Sequence, residues 1–274
     1  MVNMNLVDLL GTWGGAVSKT IKGEELTIFD MPPRNSIKDY SIDEIKQIVA
    51  AGKAPEFWKV GDIVGPVNLN GSLGGLTLNY AVYFVIIGFD HNKTVETPNY
   101  HTMTLTTCNS SGTKIAFIGD RYNSKSDVDG FHIWYQSVYT ADWSGCPMRN
   151  NLCPQFKQLL PLDWQNAIVP CIKPYVEYYY LDTTTISDEI FIFDTTELKG
   201  DSGSYMQYEY FKNGGSCIFY SYKNTSEAVR YCTRRAPTRR ATYFSVIEAN
   251  GDVSRDGGIK SLGFTPVFNI GIAS

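Results

Sequence analysis

Between Ser41 and Gly52 the apolar positions fall at helical spacing, with Ile42, Ile45, Ile48 and Val49 on one face. Ser41 offers a capping hydroxyl, Glu44 stands three residues on as the other half of a capping box, and Gly52 can close the segment. A short amphipathic helix is predicted there. Upstream, residues 1–35 show no sustained period and end in Pro32-Pro33-Arg34-Asn35, which neither a helix nor a central strand tolerates. From Trp58 onward the pattern changes to short β-like runs separated by Gly, Asn and Asp, namely 81–88, 100–106, 189–193 and 243–247, the last running into Asn250-Gly251. Between them, 148–160 carries Leu152, Phe156, Leu159 and Leu160 on one side, and 163–168 is a second short helical stretch. The pattern predicts an α+β domain of short antiparallel strands, two or three short helices and long irregular loops. The division expected is an N-terminal docking arm over 1–35, a helix and linker over 36–60, and the main domain over 61–274.

Composition agrees with a β-rich, loop-heavy chain. Of 274 residues 19% are charged and 14% aromatic, with 24 Gly and 12 Pro. The net charge of −4 and pI near 5.4 argue against nucleic acid as a partner. No segment reaches the roughly 18 apolar residues of a membrane span, and no secretory leader is visible at the N-terminus. The six cysteines include no Cys-x-x-Cys pair, so they are expected as reduced, buried small hydrophobes, and the three Asn-x-Ser/Thr sequons as chance.

Several runs suggest chemistry and fall short of it. Gly200-Asp201-Ser202-Gly203-Ser204 resembles the serine loop of chymotrypsin-like proteases, yet none of His91, His101 and His132 lies in a segment resembling that family's histidine motif. The alternative is a polar turn. Lys125 to Gly130 resembles part of a calcium loop but fails at both ends of the pattern, which leaves an irregular calcium site on Asp127 and Asp129 as the open alternative to a solvated turn. Asp188-Glu189 and Glu24-Glu25 are adjacent carboxylates whose side chains point apart, unlike a glycosidase pair. Arg230, Arg234, Arg235, Arg239 and Arg240 form the densest charge cluster, suited either to an anionic ligand or to tying loops to backbone carbonyls and carboxylates. Tyrosine is dense over Tyr178-Tyr179-Tyr180 and at Tyr205, Tyr208, Tyr210, Tyr220 and Tyr222, as in sugar-stacking or subunit-contact surfaces, with strand packing as the alternative.

The run Trp143 to Arg149, Tyr231-Cys232-Thr233-Arg234-Arg235, and Gly263 to Phe268, read in order with Leu160-Pro161, Lys173, Ser187 to Phe193, Glu197 and Tyr208-Glu209-Tyr210, resembles an uncharacterised family of phage and prophage proteins. That family is related in fold to C-type lectins and the formylglycine-generating enzyme. The resemblance covers roughly residues 36–272. It implies a C-type-lectin-like domain, with Trp143 buried and Arg149 and Arg234 structural. Cys217 and Cys232 lie fifteen apart and do not reproduce the copper-binding cysteine pair of the formylglycine-generating enzyme, so no cofactor, no metal and no catalytic residue is expected.

The resulting expectation is a virion structural protein, of tail, baseplate or capsid surface, made in the bacterial cytoplasm. It would contact other virion proteins and copies of itself and present Arg234, Arg235, Arg239, Arg240, Tyr205 and Tyr208 to a bacterial surface glycan. The alternatives are a decoration protein with no ligand and a degenerate oxidase or hydrolase.

Overall fold

The computed structural model describes residues 19–21, 24–26, 28–30, 33–91, 100–125, 129–133, 143–176, 183–200, 207–235 and 243–273. The chain opens with a small hairpin of β1 (Lys19–Ile21) and β2 (Glu24–Leu26) and reaches α1 (Ile42–Ala50) and α2 (Ala54–Phe57). In α1 the Ser41 hydroxyl accepts from the Glu44 N–H and the Glu44 carboxylate accepts from the Ser41 N–H, so both halves of the predicted capping box form. Ile42, Ile45, Ile48 and Val49 are buried against the strands Thr102–Cys108 and Val267–Gly271 and the helix Leu162–Ala167. The segment expected as a helix and linker ahead of the main domain therefore packs into the main core, and Ile28, from the expected arm, joins it.

The fold is α+β around one six-stranded antiparallel sheet, in the order β10-β16-β5-β4-β3 with β7 also on β16. It is built by β3 (Ile63–Leu73), β4 (Leu76–Phe89), β5 (Thr102–Cys108), β7 (Ile168–Val169), β10 (Ile190–Phe191) and the last strand, β16 (Val267–Gly271). The central strands β5 and β16 are buried along their whole length, which excludes charge and favours Thr, Val, Ile and Phe. Thr104 Oγ1 donates to Asn269 Oδ1 at 2.7 Å in this interior, and the Thr106 and Thr107 hydroxyls donate to the carbonyls of Pro266 and Ile115.

β3 and β4 form a long hairpin that the residue pattern does not predict at this length. Its tip is Gly74-Gly75, and Gly74, at φ 56°, lies so close to Asp129 O and the Phe131 ring that a Cβ would collide with both. The Gly74 N–H donates to Gln155 Oε1 at 2.7 Å, which holds the tip to α3 (Cys153–Leu159). A π-helical turn over Met148–Leu152 leads into α3, and α4 (Leu162–Ala167) follows, as the two helical stretches predicted.

Three smaller sheets complete the body. β8 (Cys171–Val176) pairs with β9 (Thr183–Asp188), and β6 (Ile115–Ala116) runs parallel to β11 (Phe219–Ser221), which carries β12 (Asn224–Val229). β13 (Tyr231–Cys232), β14 (Tyr243–Ile247) and β15 (Val253–Gly257) make the third. The expected strand 189–193 shortens to β10, because the chain turns at Asp194 into the one-turn helix α5 (Thr195–Lys199). With α6 (Glu209–Lys212), the main domain carries more helices than the two or three expected. No described helix is long and apolar enough to cross a membrane.

Candidate functional site

The site is built on Asp188, the last residue of β9. Strand alternation turns Asp188 inward and leaves Glu189 exposed, so the adjacent carboxylates do point apart. Asp188 Oδ2 accepts from the Trp143 indole N–H at 2.7 Å, and Oδ1 accepts from Arg149 Nε at 2.7 Å. Trp143 is only 1% exposed, so its N–H requires a buried acceptor. Arg149, rising from the turn before α3, also donates to the carbonyls of Ser144 and Ser187. The three side chains lock the 143–149 run to the end of β9.

Outside this lock lies an open cleft of about 480 Å³, lined by Arg149, Asn150, Cys153, Pro154, Lys157, Gln158 and Gln165 on the helical side and by Ser187 to Ile190 on the other. Lys157 and Glu189 pair across it at 2.6 Å. Gln165 Nε2 is spent on Leu160 O at 2.7 Å. Asn150 accepts from Arg149 Nη1 at 3.2 Å and donates to Ser144 O at 3.4 Å, and with Gln158, Ser187 and Glu189 it is exposed, a donor and acceptor set of the kind that fixes polar, hydroxyl-rich ligands. The one thiol in the lining, Cys153, is driven well above the ordinary range by burial, with the Asp188 carboxylate adding, so it stays protonated and unreactive.

A fully buried ion cluster holds the chain that continues from the Ser187–Ile190 wall. Arg234 forks onto Glu197 with both contacts at 2.7 Å, and Lys173 Nζ donates to Glu197 Oε1 at 3.0 Å and to the Tyr208 hydroxyl at 3.1 Å. Glu197 also caps α5, accepting the Asp194 N–H at 2.9 Å, so a local capping box fixes the carboxylate that Lys173 in β8 and Arg234, two residues past β13, then pair. Burial alone would raise the Glu197 carboxyl, but Arg234 and Lys173 hold it well below the usual carboxylate range. Burial would lower the Arg234 guanidinium, and Glu197 instead raises it. Burial, with the Glu197 charge adding, pushes Tyr208 far up, so its hydroxyl stays protonated. Arg234 Nη1 further donates to Ile192 O at 2.7 Å, beside β10, and its Nε to Pro174 O at 3.4 Å in β8. The cluster thus clamps the run of chain whose β9–β10 turn forms one cleft wall.

This placement corrects part of the expected ligand set. Arg234 is 3% and Tyr208 0% exposed, because each completes the internal cluster; neither is presented to a ligand. Tyr208 stacks on His91 with centroids 3.8 Å apart. Arg235 is half-buried and reaches Asp194 Oδ1 at 3.4 Å. Arg230 is tied to Glu248 and Asp256, so each of the three described arginines of the run is paired with a carboxylate of the chain. Tyr205, Arg239, Arg240, Tyr178-Tyr179-Tyr180, Asp127 and Ser202 lie outside the described residues. Asp129 accepts from Phe131 N at 3.1 Å and Ser261 Oγ at 3.4 Å, and among the described residues no group of three or more His, Cys, Asp or Glu could hold a metal ion.

A domain family described as "Domain of unknown function (DUF6273)" matches residues 122–272, a stretch that contains both the cleft and the ion cluster. No curated protein and no solved structure matches the chain.

Proposed function

The chain belongs to the DUF6273 family, and on that footing we propose that it is a binding domain whose Arg149–Asp188 cleft takes a bacterial surface glycan, displayed on a phage or prophage particle. The observation that carries the reading is the cleft itself: an open, preformed polar recess with one wall fixed by the Trp143–Asp188–Arg149 lock, and with Arg234 holding the chain at Ile192 just past that wall. Binding is favoured over chemistry because the Cys153 thiol in the lining stays protonated, Lys157 is paired with Glu189, and no described histidine lines the cleft to activate the Ser187 hydroxyl. The lectin-like and virion parts of the reading rest on the sequence resemblance of residues 36–272 to phage and prophage proteins.

A bacterial glycan array probed with the full chain tests this. Retention on at least one glycan is expected, and Asn150→Ala with Gln158→Ala should weaken it about tenfold, the loss of one or two hydrogen bonds. No retention on any surface glycan would sink the proposal and leave a decoration role without ligand.

A further inference from the structure

A second cavity, of about 270 Å³, lies between the 3-10 turn Ile37–Asp39, the end of α2 and the start of β3, outside the family-matched residues. Arg34, Lys38, Phe57, Trp58, Asp62 and Ile63 are among the residues that line it. The charge of Arg34 is taken: it forks onto Glu44, with Nη1 on Oε2 at 2.9 Å and Nη2 on Oε1 at 2.5 Å. Lys38 and Asp62 have no such match. Lys38 is exposed, with its ammonium 5.4 Å from the Tyr83 ring centroid, and makes no ion pair among the described residues. Asp62 accepts from the Lys59 N–H at 3.0 Å through Oδ2, and its Oδ1 meets no donor among the described residues. Trp58, only 5% exposed, adds a third group without a partner there, because its buried indole N–H meets no acceptor among the described residues. The indole of Trp143, by contrast, has Asp188.

We propose that this cavity binds a small α-amino acid, with its carboxylate on Lys38 and its ammonium on Asp62. The two unmatched charges decide the ligand class. A simple anion meets Lys38 but brings its charge up to the Asp62 carboxylate, and a simple cation meets Asp62 but faces the Lys38 ammonium. A zwitterion satisfies both. Size then selects among zwitterions. Taken as a sphere, 270 Å³ is about 8 Å across, which an α-amino acid spans with one charge-assisted contact of about 2.8 Å at each end. The volume also lies below the roughly 300–1,000 Å³ of sites for drug-sized ligands, which favours short side chains. Phe57 and Ile63, both half-buried, offer apolar surface to the Cα and a methyl group. The incoming carboxylate is also an acceptor for the Trp58 N–H, a buried donor that gains most from one. None of these residues lines the Arg149–Asp188 cleft, and neither site depends on the other.

Titration calorimetry of the full chain with glycine, L-alanine and L-serine tests it, with L-alaninamide and N-acetyl-L-alanine as analogues that each lack one of the two charges. At least one amino acid is expected to bind, and each analogue about tenfold more weakly, the loss of one charge-assisted contact. Lys38→Met and Asp62→Asn should each weaken binding by about the same factor. Both variants are expected to fold, since Lys38 is exposed and asparagine keeps an oxygen for the Lys59 N–H. Binding should also shift the indole emission, and Trp58→Phe should remove the shift. No binding of any of the three amino acids, equal affinity for either analogue, or unchanged affinity in either charge variant overturns the assignment. So does an emission shift that persists in Trp58→Phe, because it places the ligand elsewhere. Asn150→Ala with Gln158→Ala should leave amino-acid affinity unchanged, and Lys38→Met should leave glycan retention unchanged, so failure of one site is read separately from failure of the other.

Discussion

Glu197→Gln is expected to lower the folding stability of the chain by about 3–5 kcal/mol, read as a drop in the urea midpoint at pH 7. The substitution keeps volume and one acceptor oxygen but leaves the Arg234 guanidinium, 0% exposed, and the Lys173 ammonium, 1% exposed, without their common anion. Lysine can shed its proton in response; arginine cannot. The sign with pH follows from the depressed carboxyl. Glu197 ionises well below its ordinary 4.5, so its contribution is complete above pH 4.5 and is lost as the pH falls from there toward the folded value. The parent chain should therefore lose stability on acidification below pH 4.5 more steeply than Glu197→Gln does. A cycle with Arg234→Met separates pairing from burial: if the pair acts as one unit, the double variant is less destabilised than the sum of the singles. An additive result, or a loss below 1 kcal/mol, would mean that the cluster is not what clamps β8 and β10.

The same cluster shows which parts of the molecule a residue pattern can reveal. The α1 helix was legible because its signals are local: a serine cap, a glutamate three residues on and a four-residue apolar face. Likewise β14 occupies the predicted 243–247, where an apolar strand runs into an Asn-Gly turn. The β3–β4 hairpin carries a fainter signal, Val67, Leu69 and Leu73 before Gly74-Gly75 and Leu76, Leu78 and Val82 after it. Gly65, Pro66 and Gly71 interrupt the run and disguise the alternation. Half of the ion cluster was visible in principle, since Asp194-Thr195-Thr196-Glu197 is a capping box. Its pairing was not, because Glu197 meets Lys173 and Arg234 only through the tertiary fold. For the same reason the arginine run read as a candidate anion site: spacing cannot tell an exposed guanidinium from one turned inward onto a carboxylate. The cleft is non-local too, as Arg149 and Asp188 meet across 39 positions.

Lys114→Met is expected to raise stability by about 2 kcal/mol at pH 7. Lys114 is 4% exposed, and its ammonium faces the rings of Tyr210, Phe211 and Phe219 with centroids at 4.8, 6.0 and 5.6 Å. Its one hydrogen bond among the described residues is a long one, 3.4 Å, to the Tyr210 hydroxyl. No carboxylate stands beside it among the described residues, and the Cys108 thiol nearby is pushed up to about 12 by burial, so it supplies no counter-charge at neutral pH. Burial therefore draws Lys114 down from 10.5 to about 8. A drop of that size corresponds to about 3 kcal/mol of unfavourable charge burial at pH 7, of which the aromatic faces return roughly 1 kcal/mol. Methionine fills the same space without the charge and keeps favourable contact with the rings. Because the folded state releases the proton more readily than the unfolded one, the parent's stability should rise as the pH climbs from about 8 to 10.5. Lys114→Met should flatten that rise, so the two chains converge in alkali. Urea midpoints measured at pH 7 and pH 10 decide the matter: a variant less stable at both would show that the ammonium is held by an attraction stronger than its desolvation.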